Sequence, residues 1–272
     1  MYHRKLRNNA VPCLDETYPS LSDLVRSVLG LDLEALANRA PAEAFDHFDL
    51  ERLLAHVRSS PLALDDTIFG PHSQQVRGYL ATIEAFVALG VVRNPVAFLT
   101  KKLAAPRIAR RAPQGTEMLD TLAECSWGLW LHDQHGGLEA EKLLPDGRGD
   151  ADFFVNAGAG PLWVDSVSVA PTDRRSDMTE YLVKTVRSKW RSKFGARGTA
   201  AALPAAIAVT LLKQQEHVMP ALIRDEITGA SYAPPASLWS DCPGLQAAWF
   251  GTPAWCEGPQ RPNVFETWSR PP

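Results

Sequence analysis

Glu124, Asp152 and Asp165 are three carboxylates separated along the chain by 28 and 13 positions. Drawn close together they would repel one another unless a hard divalent cation neutralised them, and Mg²⁺ favours oxygen ligands while keeping several of its waters. An ion held in this way polarises a phosphate and lowers the pKa of a bound water. The chemistry these residue types point to is metal-dependent attack of water on a phosphodiester, and a structural hairpin with solvated acids is the other reading. Asp152, Asp165 and Glu124 are the expected ligands, and Mg²⁺ or Mn²⁺ the expected ion.

Three elements must position them. Asp152-Phe-Phe-Val-Asn and Leu162-Trp-Val-Asp-Ser-Val-Ser-Val169 are β-rich runs joined by Ala157-Gly-Ala-Gly-Pro161, which predicts a hairpin. Side chains alternate across a strand, so Asp165 shares a face with Trp163 and Val167, while Ser166 and Ser168 point the other way. Asp152 meets Asp165 if the register sets them opposite each other. Upstream, Leu122, Ala123, Ser126, Leu129 and Trp130 recur at helical spacing, with Glu124 near the border of that stripe.

These residues resemble the pattern of the PD-(D/E)XK nuclease-like superfamily: a glutamate on a first helix, an aspartate in one strand, and acid-x-lysine in the next. The resemblance covers roughly residues 115 to 250. It takes in the helix after the hairpin, the apolar run Ala205-Ala-Ile-Ala-Val-Thr-Leu-Leu212 as a buried strand, and Leu245-Gln-Ala-Ala-Trp-Phe250 as a late strand. It implies an α/β fold, restriction-endonuclease-like, with a mixed central sheet flanked by helices, and it implies nuclease activity. The departure is Val167, which stands where the family has lysine, and Asp165 is shorter than the usual glutamate. That lysine orients or activates the attacking water and stabilises developing negative charge, and valine does neither. In some members a lysine from the neighbouring helix fills the same space. Lys184, Lys189 and Lys193 are the candidates here, with Lys184 first because it lies nearest the hairpin in sequence. A scaffold that has lost catalysis and binds nucleic acid or a protein is the alternative.

From Val183 to Arg197 the chain carries six basic residues and no acid. Val183, Val186, Trp190 and Phe194 form an apolar helical stripe. Lys184, Arg187, Lys189, Arg191, Lys193 and Arg197 lie around it as candidate contacts to a nucleic-acid backbone, where neutralising phosphates releases counterions. A solvated face whose long side chains cover apolar surface is the other reading. Gly195 is placed to end the helix. A second acid-free basic run spans Lys101 to Arg111.

The chain of 272 residues, 45% hydrophobic and 22% charged, has a formal net charge of -3, so any nucleic-acid surface must be local. Residues 1–112 are expected to be a mainly helical region, 113–250 the α/β domain and 251–272 a tail. In the first, Ser20 or Ser22 is a plausible N-cap, with further helices at 49–58, 73–89 and 95–104. The helix at 73–89 turns Val76, Leu80, Ile83 and Val87 towards a core. Pro106 and Ala112-Pro-Gln-Gly115 mark the boundary, after which Thr116 would cap the Glu124 helix. The tail, with five prolines and three aromatics in 22 residues, cannot be a regular helix or central strand and is expected to wrap the surface. Trp255, Phe265 and Trp268 would plug grooves at home or on a partner. A protein partner would use the helical region or this tail.

Cys13, Cys125, Cys242 and Cys256 form no C-x-x-C pair, and no run reaches the length of a membrane span. A reducing, cytoplasmic setting without membrane contact is the expectation. His132 and His135 stand near the end of the Glu124 helix without the glutamate of a zincin, and Gly136-Gly137 follows, which indicates a solvated helix end. Gly158-Ala-Gly160 joins two strands and is no dinucleotide fingerprint.

Overall fold

Apolar residues recurring every three or four positions through the first third of the chain become the interior of a helical unit. A computed structural model describes residues 13–39, 49–59, 66–103, 117–147, 149–158, 160–169, 178–195, 203–211, 234–253 and 258–272. Two units result, Met1–Leu122 with Trp255–Gln260, and Ala123–Ala254 with Arg261–Pro272.

The first unit holds α1 (Leu14–Thr17), α2 (Pro19–Leu29), α3 (Leu33–Ala37), α4 (Leu50–Ser59), α5 (Asp66–Ala88) and α6 (Pro95–Ala97). Val76, Leu80 and Ile83 are buried as expected. Val87 is only half-buried, and Phe86 takes the interior place beside Phe98, with ring centroids 6.2 Å apart. Neither Ser20 nor Ser22 caps α2. The helix starts at Pro19, whose missing N–H suits the first position. The Ser20 and Leu21 N–H groups donate to the Glu84 carboxylate of α5 at 2.9 and 2.7 Å. The expected helix at 95–104 is α6 running into a π-helix, Phe98–Leu103. Pro106, Ala112–Gly115, Thr116 and the second basic run beyond Leu103 lie outside the described residues.

The second unit is α/β, with a six-stranded mixed sheet flanked by helices. Its strands are β1 (Glu139–Leu143), β2 (Asp150–Ala157), β3 (Gly160–Val169), β4 (Ala205–Leu211), β5 (Leu245–Thr252) and β6 (Asn263–Ser269), lying side by side in chain order. β3, β4 and β5 are parallel and the other pairings antiparallel. Every residue of β4 is buried, the mark of a central strand covered on both faces. The helices of this part of the chain are α7 (Glu117–His135), α8 (Met178–Lys193) and α9 (Ala236–Asp241). Val183, Val186, Trp190 and Phe194 of α8 pack with Ile207 and Val209 in one core. The end of α8 is tight at Gly195, where a Cβ would sit 2.6 Å from the Arg191 carbonyl oxygen. α7 ends at Gly136, φ +70°, whose N–H bonds the His132 carbonyl at 2.8 Å, and this leaves His132 partly solvated as expected. No helix among the described residues is long and apolar enough to cross a membrane.

The C-terminal segment does not wrap the surface. Asn263–Ser269, free of proline, pairs with β5 as an edge strand, buries Trp268 and packs Phe265 on the core. Trp255 lies outside the described residues. On β5, Gly251 faces Trp127 of α7, and a Cβ there would meet Pro262 Cβ at 3.0 Å and Trp127 Cζ2 at 3.2 Å. Gly251→Ala is therefore expected to cost about 1–3 kcal/mol by overpacking, read as a lowered urea midpoint. An unchanged midpoint would show that the contact yields freely.

Candidate active site

Pairing of β2 with β3 sets Phe154 opposite Trp163 and Phe153 opposite Val164, and the next step along the ladder faces Asp152 to Asp165. There the rungs are made by side chains. The Asp152 N–H donates to Asp165 Oδ1 at 3.3 Å, and the Ser166 N–H donates to Asp152 Oδ2 at 2.7 Å. The same Asp152 oxygen accepts a second bond, from Ser166 Oγ, at 2.7 Å. Two carboxylates thus stand in for backbone carbonyls at the open end of the β2–β3 ladder.

α8 covers the sheet face carrying Trp163, Asp165 and Val167, and its last turns bring two ammonium groups down on Asp165. Lys189 Nζ lies 2.9 Å from Oδ2 and Lys193 Nζ 3.5 Å from Oδ1. Lys193 also donates to the Asp150 carbonyl at 2.8 Å. Asp165 has 0% side-chain exposure. Oδ2 is buried, and its close neighbour is the Lys189 ammonium. Burial first, and then the neighbouring Asp152 charge, push the Asp165 carboxyl up to about 6, against the opposing pull of Lys189 and Lys193.

Lys184 does not join this cluster, although it is nearest the hairpin in sequence. It sits five residues before Lys189, about 7.5 Å back along the helix and roughly 140° around it. Lys189 and Lys193, four apart, share the turn that passes over Asp165. Arg187 is held by Asp241 at 2.9 Å. The side chains of Lys184 and Arg191 are exposed and make no hydrogen bond or ion pair among the described residues, while Arg197 falls outside them.

Glu124 is carried, half-buried, on α7. That helix covers the other face of the sheet, where Trp127 Nε1 donates to Thr210 Oγ1 at 2.8 Å and Thr210 is the β4 partner of Ser168. Among the described residues no three His, Cys, Asp or Glu side chains gather closely enough to hold a metal ion, so Glu124 does not complete a ligand set with the two aspartates. What remains as candidate oxygen donors for Mg²⁺ or Mn²⁺ is the pair Asp152 and Asp165. The donors are all oxygen, and Asp152 Oδ1 makes no hydrogen bond among the described residues, while Asp165 Oδ2 faces the Lys189 ammonium at 2.9 Å. Magnesium is commonly held by one or two carboxylates together with waters and substrate phosphates.

Beside Lys189, an open groove of about 430 Å³ runs along α8. Val167 of β3 lines it together with Tyr181, Lys184, Thr185, Ser188, Lys189 and Ser192. Those six α8 positions are one helical stripe, spaced three, one, three, one and three apart, on a different side from the apolar stripe. Following charge alone misses it, whereas marking hydroxyls at helical spacing would have found it. Ser166 was also missed, because alternation turns its side chain away from Asp165, yet its backbone N–H remains within reach of Asp152. The chain matches no protein-family model, no curated protein and no solved structure.

Proposed function

We propose that this protein is a metal-dependent nuclease-like phosphodiesterase of the restriction-endonuclease-like type, acting on nucleic acid. The observation that carries this reading is the Lys189 ammonium 2.9 Å from Asp165 Oδ2, a helix lysine supplying the charge that Val167 cannot. The succession of α7, three antiparallel strands, basic α8 and the parallel apolar β4 agrees with the order implied by the sequence resemblance.

Asp152 and Asp165 would hold Mg²⁺ or Mn²⁺, which when bound polarises the phosphate and lowers the pKa of a water. Ser166 fixes the Asp152 carboxylate through two hydrogen bonds to Oδ2, leaving Oδ1 as the other donor. Lys189 orients the attacking water and offsets the charge that builds on phosphorus-bound oxygen as the new P–O bond forms and the old one breaks. Lys193 holds Asp165 from its other oxygen and anchors α8 to β2. Lys184 and Arg191 serve as backbone contacts. Glu124 stays outside the ligand set. The buried thiols of Cys125 and Cys242 accord with a cytoplasmic setting.

One observation favours a second reading, a nuclease-like module that binds nucleic acid or a protein without cutting. Asp165 is wholly covered and already neutralised by two lysines. Calorimetry with Mn²⁺ on the wild type and Asp152→Ala, with plasmid and single-strand cleavage on the same preparations, separates the two. Metal binding and cutting that both disappear in the variant support the enzyme. A wild type that binds no Mn²⁺ leaves the binding module.

A further inference from the structure

We infer that the groove between Val167 and the hydroxyl-lysine stripe of α8 is a binding site for a single phosphorylated nucleotide. Its volume, about 430 Å³, is that of a small-molecule site. The chemistry of its wall narrows the ligand. Lys184 offers an exposed ammonium with no partner among the described residues, and Ser188 one turn on offers a hydroxyl that is likewise unengaged. At i and i+4 the two are neighbours on the helix surface and together suit the oxygens of a phosphate.

Thr185 and Ser192 are different. Thr185 Oγ1 donates to the Tyr181 carbonyl at 2.9 Å and Ser192 Oγ to the Lys189 carbonyl at 2.8 Å. Each hydroxyl has spent its one proton on the backbone and faces a ligand as an acceptor only. Inorganic phosphate carries its one or two O–H donors on a single compact ion and cannot reach both hydroxyls while seated on Lys184, whereas sugar hydroxyls and exocyclic base amines are donors spread along a longer molecule. The Tyr181 ring and the Val167 side chain supply flat and apolar surface for a base. Anion, donor groups and a planar apolar body are together the features of a nucleotide.

The groove shares Lys189 with the acid pair, so a nucleotide seated in it lies beside the lysine that contacts Asp165. Only the source of the nucleotide rests on the nuclease-like reading: a strand threaded past the acids would place one unit here, and a free nucleotide would bind by the same contacts. The test is run in EDTA, so that it does not depend on metal. Binding of adenosine 5′-monophosphate, inorganic phosphate and a single-stranded oligothymidylate to the full chain is measured by calorimetry. The monophosphate is expected to bind and to outcompete inorganic phosphate. Lys184→Gln should weaken it at least about tenfold, Lys184→Arg should restore it, and Thr185→Val should weaken it with circular dichroism unchanged. Competition between the monophosphate and the oligonucleotide identifies a strand as the source, and binding of the monophosphate alone identifies a free nucleotide. No binding of the monophosphate, equal binding of inorganic phosphate, or indifference to both Lys184→Gln and Thr185→Val would overturn the inference. Metal-dependent cutting that survives those results leaves the nuclease reading standing, and nucleotide binding without cutting leaves only the groove.

Discussion

Between about pH 4 and about pH 7 the wild type is expected to lose about 3 kcal/mol of stability relative to Asp165→Asn in metal-free buffer. The cause is the position of one carboxyl group. Asp165 has 0% side-chain exposure and faces Asp152, so burial first and the like charge second raise its pKa from the ordinary 3.8 to about 6 in the folded protein. A raised folded pKa means that the folded state holds the proton more tightly than the unfolded one. The contribution is fully present below the unfolded value, and it is lost as pH rises through the folded value of about 6. Asparagine has nearly the same shape and does not titrate, so the difference between the two urea-unfolding curves reports Asp165 together with its interaction with Asp152. Curves that stay parallel across the range would show that Asp165 is effectively solvated. Mn²⁺ affinity should rise as pH climbs through about 6, because a carboxylate ligand must be deprotonated.

Cleavage by Lys189→Met is expected to drop by about 10²–10³ fold, the loss typical of removing one pre-positioned charge stabiliser. Lys193→Met should lose less than about tenfold, since its contact to Asp165 is longer, 3.5 Å against 2.9 Å, and a second bond ties it to the Asp150 carbonyl. Removing Lys189 also leaves a buried carboxylate with one cation where it had two, which favours protonation of Asp165. Rates are therefore compared at a pH where circular dichroism shows both variants folded, and Lys189→Arg, which keeps the charge, should recover part of the activity. Full cleavage by Lys189→Met would end the idea of a lysine relocated to the helix. Cleavage by Lys193→Met as poor as that of Lys189→Met would shift the role to the pair.

Much of the second unit was legible in the chain. The hairpin was visible in two β-branched and aromatic runs around a glycine turn, and β4 in seven consecutive small or apolar residues. β1 was not, because Glu-Ala-Glu-Lys-Leu has the charged, short character of an edge strand and carries no alternation of its own. β6 was hidden by averaging. Prolines at 253, 259, 262, 271 and 272 all fall outside Asn263–Ser269, and the seven residues between them pair with β5 through a register shift that no simple alternation would show. The capping of α2 was beyond local inference, since its acceptor, Glu84, arrives from more than sixty residues away.

At the site, the two aspartates could be named from type and spacing, and the hairpin register then decided that they meet. Which lysine joins them could not be read from sequence order. It depends on the turn of α8 that crosses Asp165, and this is set by Val183, Val186, Trp190 and Phe194 seating themselves on β3 and β4. The same packing turns Lys184 into the groove. Glu124 shows the converse: a residue of the right type, on the right kind of element, attached to the opposite layer.

The side-chain rungs of the β2–β3 hairpin make its backbone a participant in whatever happens to the acids. A peptide carbonyl accepts a hydrogen bond whatever the pH or the ions present, but a carboxylate oxygen accepts according to its protonation and ligation. The Asp152 N–H and the Ser166 N–H are latched by oxygens of this second kind. Proton uptake, cation binding and the local spacing of two strands are consequently one linked equilibrium, in which each amide experiences the occupancy of the carboxylate that holds it.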